Sequence, residues 1–314
     1  MENEEQKTNF LKKEKFLPIS IVIAALIIGG SWVYTTDRPK DGSSKSSGEN
    51  NLTKNAENQS STVIDANLII PQEGVELPVK WGGLGTQLVE KGVIDGPQFE
   101  SLYSQRGGID EEMKKILYGS DNGKIKITSL NAGFLLNMFW ALGLGNKNEI
   151  LEKGPISDPQ YGGAGNFAST GGWTLAKGDT MNHYSKHGFI SLTTEQQALV
   201  ERVSQNIYRP CCDNSTYFPD CNHGMAMLGL LELMASQGVS EGEMYEIALK
   251  INSYWFPDTY LTIAKYLQEK KNISFQEVDP KEILGKTYSS GSGFQAILKQ
   301  VAPPEGGGGG GCGV

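Results

Sequence analysis

The chain has 314 residues, with 28 Lys+Arg against 36 Asp+Glu and a formal net charge of -8. That balance argues against nucleic acid as a partner, because neutralising phosphates needs a basic face. Hydrophobic residues at 38% suffice for one sizeable core and are too many for a wholly disordered chain, while 4 cysteines are too few for a disulfide-dense miniprotein.

Residues 1–15 are polar and carry Lys12, Lys13 and Lys15, after which no charge occurs from Phe16 to Tyr34. In a helix that stretch spans about 28 Å, close to the hydrocarbon thickness of a bilayer. Trp32 and Tyr34 stand where interfacial aromatics belong, and the preceding lysines favour a cytoplasmic N-terminus. The expectation is a single-pass transmembrane anchor over 16–34, with the rest of the chain extracytoplasmic, as suits a prokaryotic envelope. The alternative is a cleaved signal peptide. Residues 35–62 are rich in Ser, Asn and Lys and read as a flexible linker.

The remainder reads as mainly α. Within 63–190, a region without a trusted motif, short helices are expected over Leu84–Lys91, Pro97–Ser104 and Asp110–Leu117, broken by Gly92 and by Gly107-Gly108. Lys124 to Thr128 alternates like a short strand, and Leu130 to Leu142 is apolar nearly all round, as in a buried helix. Residues 154–178, dense in Gly, Pro, Ser and Asn, should form a long irregular loop. Residues 191–302 then read as a helical bundle. Thr193-x-x-Gln196 is a capping box before Leu199, Val203 and Ile207, and Asn222 can cap a helix with Met225, Leu228, Leu231 and Met234 inward. Ser240-x-x-Glu243 opens a third helix, Pro257 ends it, and a fourth follows with Tyr260, Ile263, Ala264 and Leu267 inward. Residues 303–314 form a Gly-rich tail that carries Cys312 and that could swing its thiol to the other cysteines.

All three histidines, His183, His187 and His223, share one window with Cys211, Cys212 and Cys221. Thiolate and imidazole donors together suit zinc, copper or iron. His183 and His187 are four apart, so on a helix both rings would face one ion. Cys221 and His223 flank the predicted helix start, where unpaired N–H groups favour a thiolate. Asp179, Asp213 and Asp220 read as solvated loop aspartates, with outer partners of the histidines as the alternative. Other readings stand beside this one. His183 and His187 read equally as two satisfied surface residues, and in an oxidising compartment Cys221 can pair with Cys211 or Cys212 as a structural disulfide.

The run Glu195-Gln-Gln-Ala-Leu-Val through Tyr208-Arg-Pro-Cys-Cys212-Asp-Asn to Asp220, followed by Met-Ala-Ser-Gln-Gly238-Val-Ser-Glu-Gly-Glu-Met244 and Tyr254-Trp-Phe, resembles the cytochrome c maturation H family (CcmH/CycL) over about residues 195–257. The resemblance implies a small extracytoplasmic three-helix domain whose cysteine pair exchanges thiols with a protein partner. Cys212, Asn214 and Asp220 match the family's second cysteine, asparagine and aspartate. The pattern departs at Cys211, which adjoins Cys212 so that no C-x-x-C exists, and at Cys221 and His223, which are additions.

The leading expectation is therefore a membrane-anchored extracytoplasmic protein that binds zinc or copper through Cys211, Cys212, Cys221 and His223, with His183 and His187 as further ligands. A thiol–disulfide oxidoreductase or thiol carrier with Cys212 or Cys221 as nucleophile is the second, served by a protein-thiol or metal-delivery partner. A disulfide-stapled binding domain is the third.

Overall fold

The computed structural model describes residues 64–104 and 107–302, so the expected anchor over 16–34, the linker and the Cys312 tail lie outside the described residues. Among the described residues no helix is long and apolar enough to cross a membrane. The architecture is mainly helical.

After a helical turn over Ala66–Ile69 comes an antiparallel ribbon of β1 (Val75–Gly82) and β2 (Asn122–Ile127), with Val75 opposite Ile127 and Gly82 opposite Asn122. The register breaks between Glu76 and Lys80, around Pro78, which has no N–H to give to the ladder. β1 turns Leu77, Val79 and Trp81 inward, and Ile125 and Ile127 of β2 join them; burial against the helices is what makes two strands sufficient. Between the strands lie α1 (Leu84–Glu90), α2 (Gly96–Ser104) and α3 (Glu111–Tyr118), the last capped by Asp110, whose carboxylate accepts from Met113 N–H.

The core is built on α4 (Ala132–Gly145), of which only Gly133 escapes burial. After it the 154–178 segment is a succession of short 3-10 turns, in keeping with the expected irregular loop. α5 (Thr194–Ser204) begins with the capping box made in full: Thr193 Oγ1 accepts from Gln196 N–H, and Gln196 Oε1 accepts from Thr193 N–H. It stops before Ile207, which is buried but outside the helix. α6 (Asn222–Ser236) takes Cys221, not Asn222, at the cap position, and that residue's side chain makes no capping bond. α7 (Glu241–Trp255) starts at Ser240, and α8 (Pro257–Tyr266) starts at Pro257, where the missing N–H costs nothing. Helical turns at Pro280–Leu284 and Lys286–Ser289 lead to α9 (Gly291–Leu298).

α4 and α6 lie unusually close. A Cβ on Gly229 would come to 2.5 Å from the Phe139 carbonyl oxygen, and one on Gly143 would run into the Met225 carbonyl. These contacts, with Asn146 against Glu232 further along, require the two helices to run in the same direction. α7 runs back, since Trp255 at its end donates Nε1–H to the Ala132 carbonyl at the start of α4. The start of α6 and the end of α7 therefore meet at one end of the core.

Candidate metal and thiol site

At that end the chain between α5 and α6 folds into a tight loop around Arg209. Thr216 N–H and its hydroxyl both donate to the Ile207 carbonyl, and Tyr217 N–H donates to the Ser204 carbonyl, closing the loop on itself. Asn252 of α7 holds the Tyr208 carbonyl at 3.2 Å. The first residues of α9 hold the other side: Gly291 N–H donates to the Cys212 carbonyl and Ser292 N–H to Asp213 Oδ1.

Arg209 is 1% exposed and spends its whole fork inside the loop. Nε donates to Cys221 Sγ at 2.9 Å, Nη1 to the Asn214 carbonyl at 3.0 Å, and Nη2 to the Phe218 carbonyl at 3.1 Å and to Asp220 Oδ1 at 2.5 Å. Asp220 Oδ2 accepts from Asn214 Nδ2 at 2.8 Å. Gly224, in the first turn of α6, leaves the space: a Cβ there would meet the guanidinium carbon at 2.5 Å. A fixed cation against a helix N-terminus is electrostatically unfavourable on its own. Negative charge on Asp220 and Cys221 makes the arrangement tenable.

The three cysteines surround this pair, each half-buried with a free thiol. Cys211 Sγ is 3.4 Å from Cys221 Sγ. Cys212 Sγ leans the other way, towards Asp220 Oδ1 at 3.7 Å and the Asn214 carbonyl at 3.9 Å. Hydrogen bonds from Cys211 and Cys212, the Arg209 charge and a bond from His223 hold Cys221 well below the ordinary thiol range, against the opposing effect of burial. Cys211, which donates to both neighbours and is buried, is pushed far up. For Cys212 the bond from Cys211 pulls down, but the bond to Cys221 and burial outweigh it and push the thiol up to about 12. The thiolate is thus favoured at Cys221 over its two neighbours.

His223 is 8% exposed and is pinned by aromatic rings from the α7–α8 junction, Phe256 at 4.3 Å between centroids and Trp255 at 5.8 Å. The ligand atoms of Cys211, Cys221 and His223 lie within 4.8 Å of one another, and so do those of Cys212, Asp220 and Cys221. The Cys/His cluster can hold a metal ion.

His183 and His187 are brought together, but elsewhere and not on a helix. They follow a 3-10 turn and flank Ser185, whose φ of 50° reverses the chain. His187 N–H donates to the Gly145 carbonyl at the far end of α4. Since α4 and α6 run the same way and Asn146 sits level with Glu232, this pair lies about 15 Å along the core from the start of α6. His183 Nε2 is 3.1 Å from the Lys177 carbonyl and can only donate there, so in a neutral ring Nδ1 accepts from His187 Nε2 at 3.1 Å. The rings satisfy each other, and burial together with the His183 neighbour holds His187 below the ordinary imidazole value.

Arg209 and Asn252 are parts of the site that spacing arguments miss; an arginine between a helix and a cysteine pair carries no sign that it will be buried. No protein-family model, characterised protein or solved structure matches the chain, so the likeness of residues 195–257 to the cytochrome c maturation H family stays a resemblance.

Proposed function

We propose that the protein binds one transition-metal ion, zinc or copper, through Cys211, Cys221 and His223, with Cys212 as fourth donor, in an extracytoplasmic domain carried on the N-terminal anchor. The observation that carries this reading is the mutual approach of the three ligand atoms within 4.8 Å. A tetrahedral site with metal–sulfur bonds of about 2.3 Å and a metal–nitrogen bond of about 2.0 Å has ligand–ligand edges of about 3.5–3.8 Å. Small side-chain rotations close the one geometry onto the other. Thiolates and imidazole are the donors that zinc and copper(I) take from the biological set. The surroundings suit the role as well. Arg209 donates to the sulfur of Cys221, Asn214 and Asp220 brace Arg209, and Phe256 fixes the imidazole plane, the kind of outer support that orients metal ligands.

The anchor is supported by the uncharged stretch from Phe16 to Tyr34. A protein that delivers the metal, or takes it, is the partner this reading implies. The test is competition for zinc and copper(I) against a chromophoric chelator, using the reduced full-length chain and a variant with Cys211, Cys212 and Cys221 all changed to Ser. The wild type should bind at least a hundredfold more tightly. Equal affinity would end the proposal.

A further inference from the structure

The Cys211–Cys221 contact supports a second chemistry at the same site. Their sulfurs stand 3.4 Å apart, and a disulfide bond is about 2.05 Å long, so closing it needs a movement of about 1.3 Å that rotation about χ1 can deliver. The competing pairs are disfavoured. A bond between the adjacent Cys211 and Cys212 would be strained, and Cys212 is turned towards Asp220 and the Asn214 carbonyl. The loop is already fixed in the closing geometry by Arg209, by Asn252 and by the start of α9. All three cysteine residues are partly exposed.

We propose that in the metal-free protein Cys211 and Cys221 exchange with a low-molecular-weight disulfide to form an internal disulfide, making oxidation and metal binding alternative states of one site. The exchange rests on the sulfur geometry alone; its competition with metal rests on the reading given above. One thiolate of the pair attacks a sulfur of R–S–S–R, forming a mixed disulfide and releasing RS⁻. The other cysteine, giving its proton to the released thiolate, then attacks the protein sulfur of that mixed disulfide, forms the Cys211–Cys221 bond and expels the second RS⁻. Two cysteines are oxidised by two electrons and one disulfide becomes two thiols.

The test treats the reduced, chelator-washed full-length chain with oxidised glutathione and counts thiols, alongside C211S, C212S, C221S and C312S variants. Two thiols should disappear, out of four in the wild type and out of three in C212S and C312S, and return with reductant, whereas C211S and C221S should show no internal disulfide. Loading with zinc first, and verifying its retention by metal analysis, should slow the loss at least tenfold. No thiol loss, or the same loss in C211S, overturns the exchange. Retained zinc with an unchanged rate overturns the competition. A chain that retains no zinc removes the metal reading, and the thiol count then decides the exchange by itself.

Discussion

Replacing Arg209 should be the most damaging single change at the site. Arg209→Met keeps the apolar stem and deletes the guanidinium, so Asp220 and Cys221 lose their cation, and the carbonyls of Asn214 and Phe218 lose their donors. Removing one partner of a buried ion pair costs on the order of 3–5 kcal/mol. Two stranded carbonyls add about 1 kcal/mol each, and water reaching the Asp220 side chain, which is 19% exposed, gives part of this back. The expected loss is about 4 kcal/mol. Arg209→Lys keeps the charge but cannot reproduce four bonds in three directions, and should lose about 2 kcal/mol. Urea unfolding of the reduced, metal-free chain, followed by tryptophan fluorescence, measures both. If the two variants fall within about 1 kcal/mol of wild type, the account of Arg209 as the organiser of the loop is refuted.

Other consequences are open to the same assay. Gly143→Ala should cost about 3 kcal/mol, because its methyl group is driven into the Met225 carbonyl across the α4–α6 contact. Gly133→Ala, at a position in α4 with open space around it, should instead gain about 0.5–1 kcal/mol. Glu232 is fully buried in α6, and burial raises its carboxyl to about 8 despite the amide donors of Asn146 and Asn148. The folded protein then keeps a proton that the unfolded chain releases near 4.5, so stability is full below that pH and falls as pH rises towards 8, by on the order of 5 kcal/mol. Glu232→Gln should flatten that part of the curve; an unchanged slope would contradict the assignment. His183→Ala and His187→Ala should leave metal binding unchanged and lower stability by about 1–2 kcal/mol each; a loss of bound metal in either would return them to the ligand set.

The helices that announce themselves through local chemistry were legible in the sequence. Thr193 with Gln196, Ser240 with Glu243, Asp110 and Pro257 act within one turn of their own position, and each marks a helix start in the structure. The clustering of Cys211, Cys221 and His223 was legible because their separation is short enough for one loop to bring both ends to one place at small entropic cost. β1 was hidden by Pro78 in the middle of its alternating run, which the register irregularity absorbs. His183 and His187 have helical spacing without a helix, because Ser185 bends the chain and the rings still meet. The C-terminal segment, whose α9 buttresses Cys212 and Asp213, is divided into short helices at Gly285 and Ser290, and a periodicity needs more length than they offer. The burial of Arg209 depends on the space left at Gly224 and on Asp220 and Cys221, which only the folded loop brings together.

The most direct test of the metal assignment is X-ray absorption at the metal edge of the anaerobically purified, zinc-loaded chain, with metal content measured on the same sample. The account predicts about one ion per chain and a shell of mixed sulfur and nitrogen, with sulfur at about 2.3 Å, that loses a nitrogen in His223→Ala. A shell of oxygen and nitrogen alone, or one that His223→Ala and Cys221→Ser leave unchanged, would contradict it.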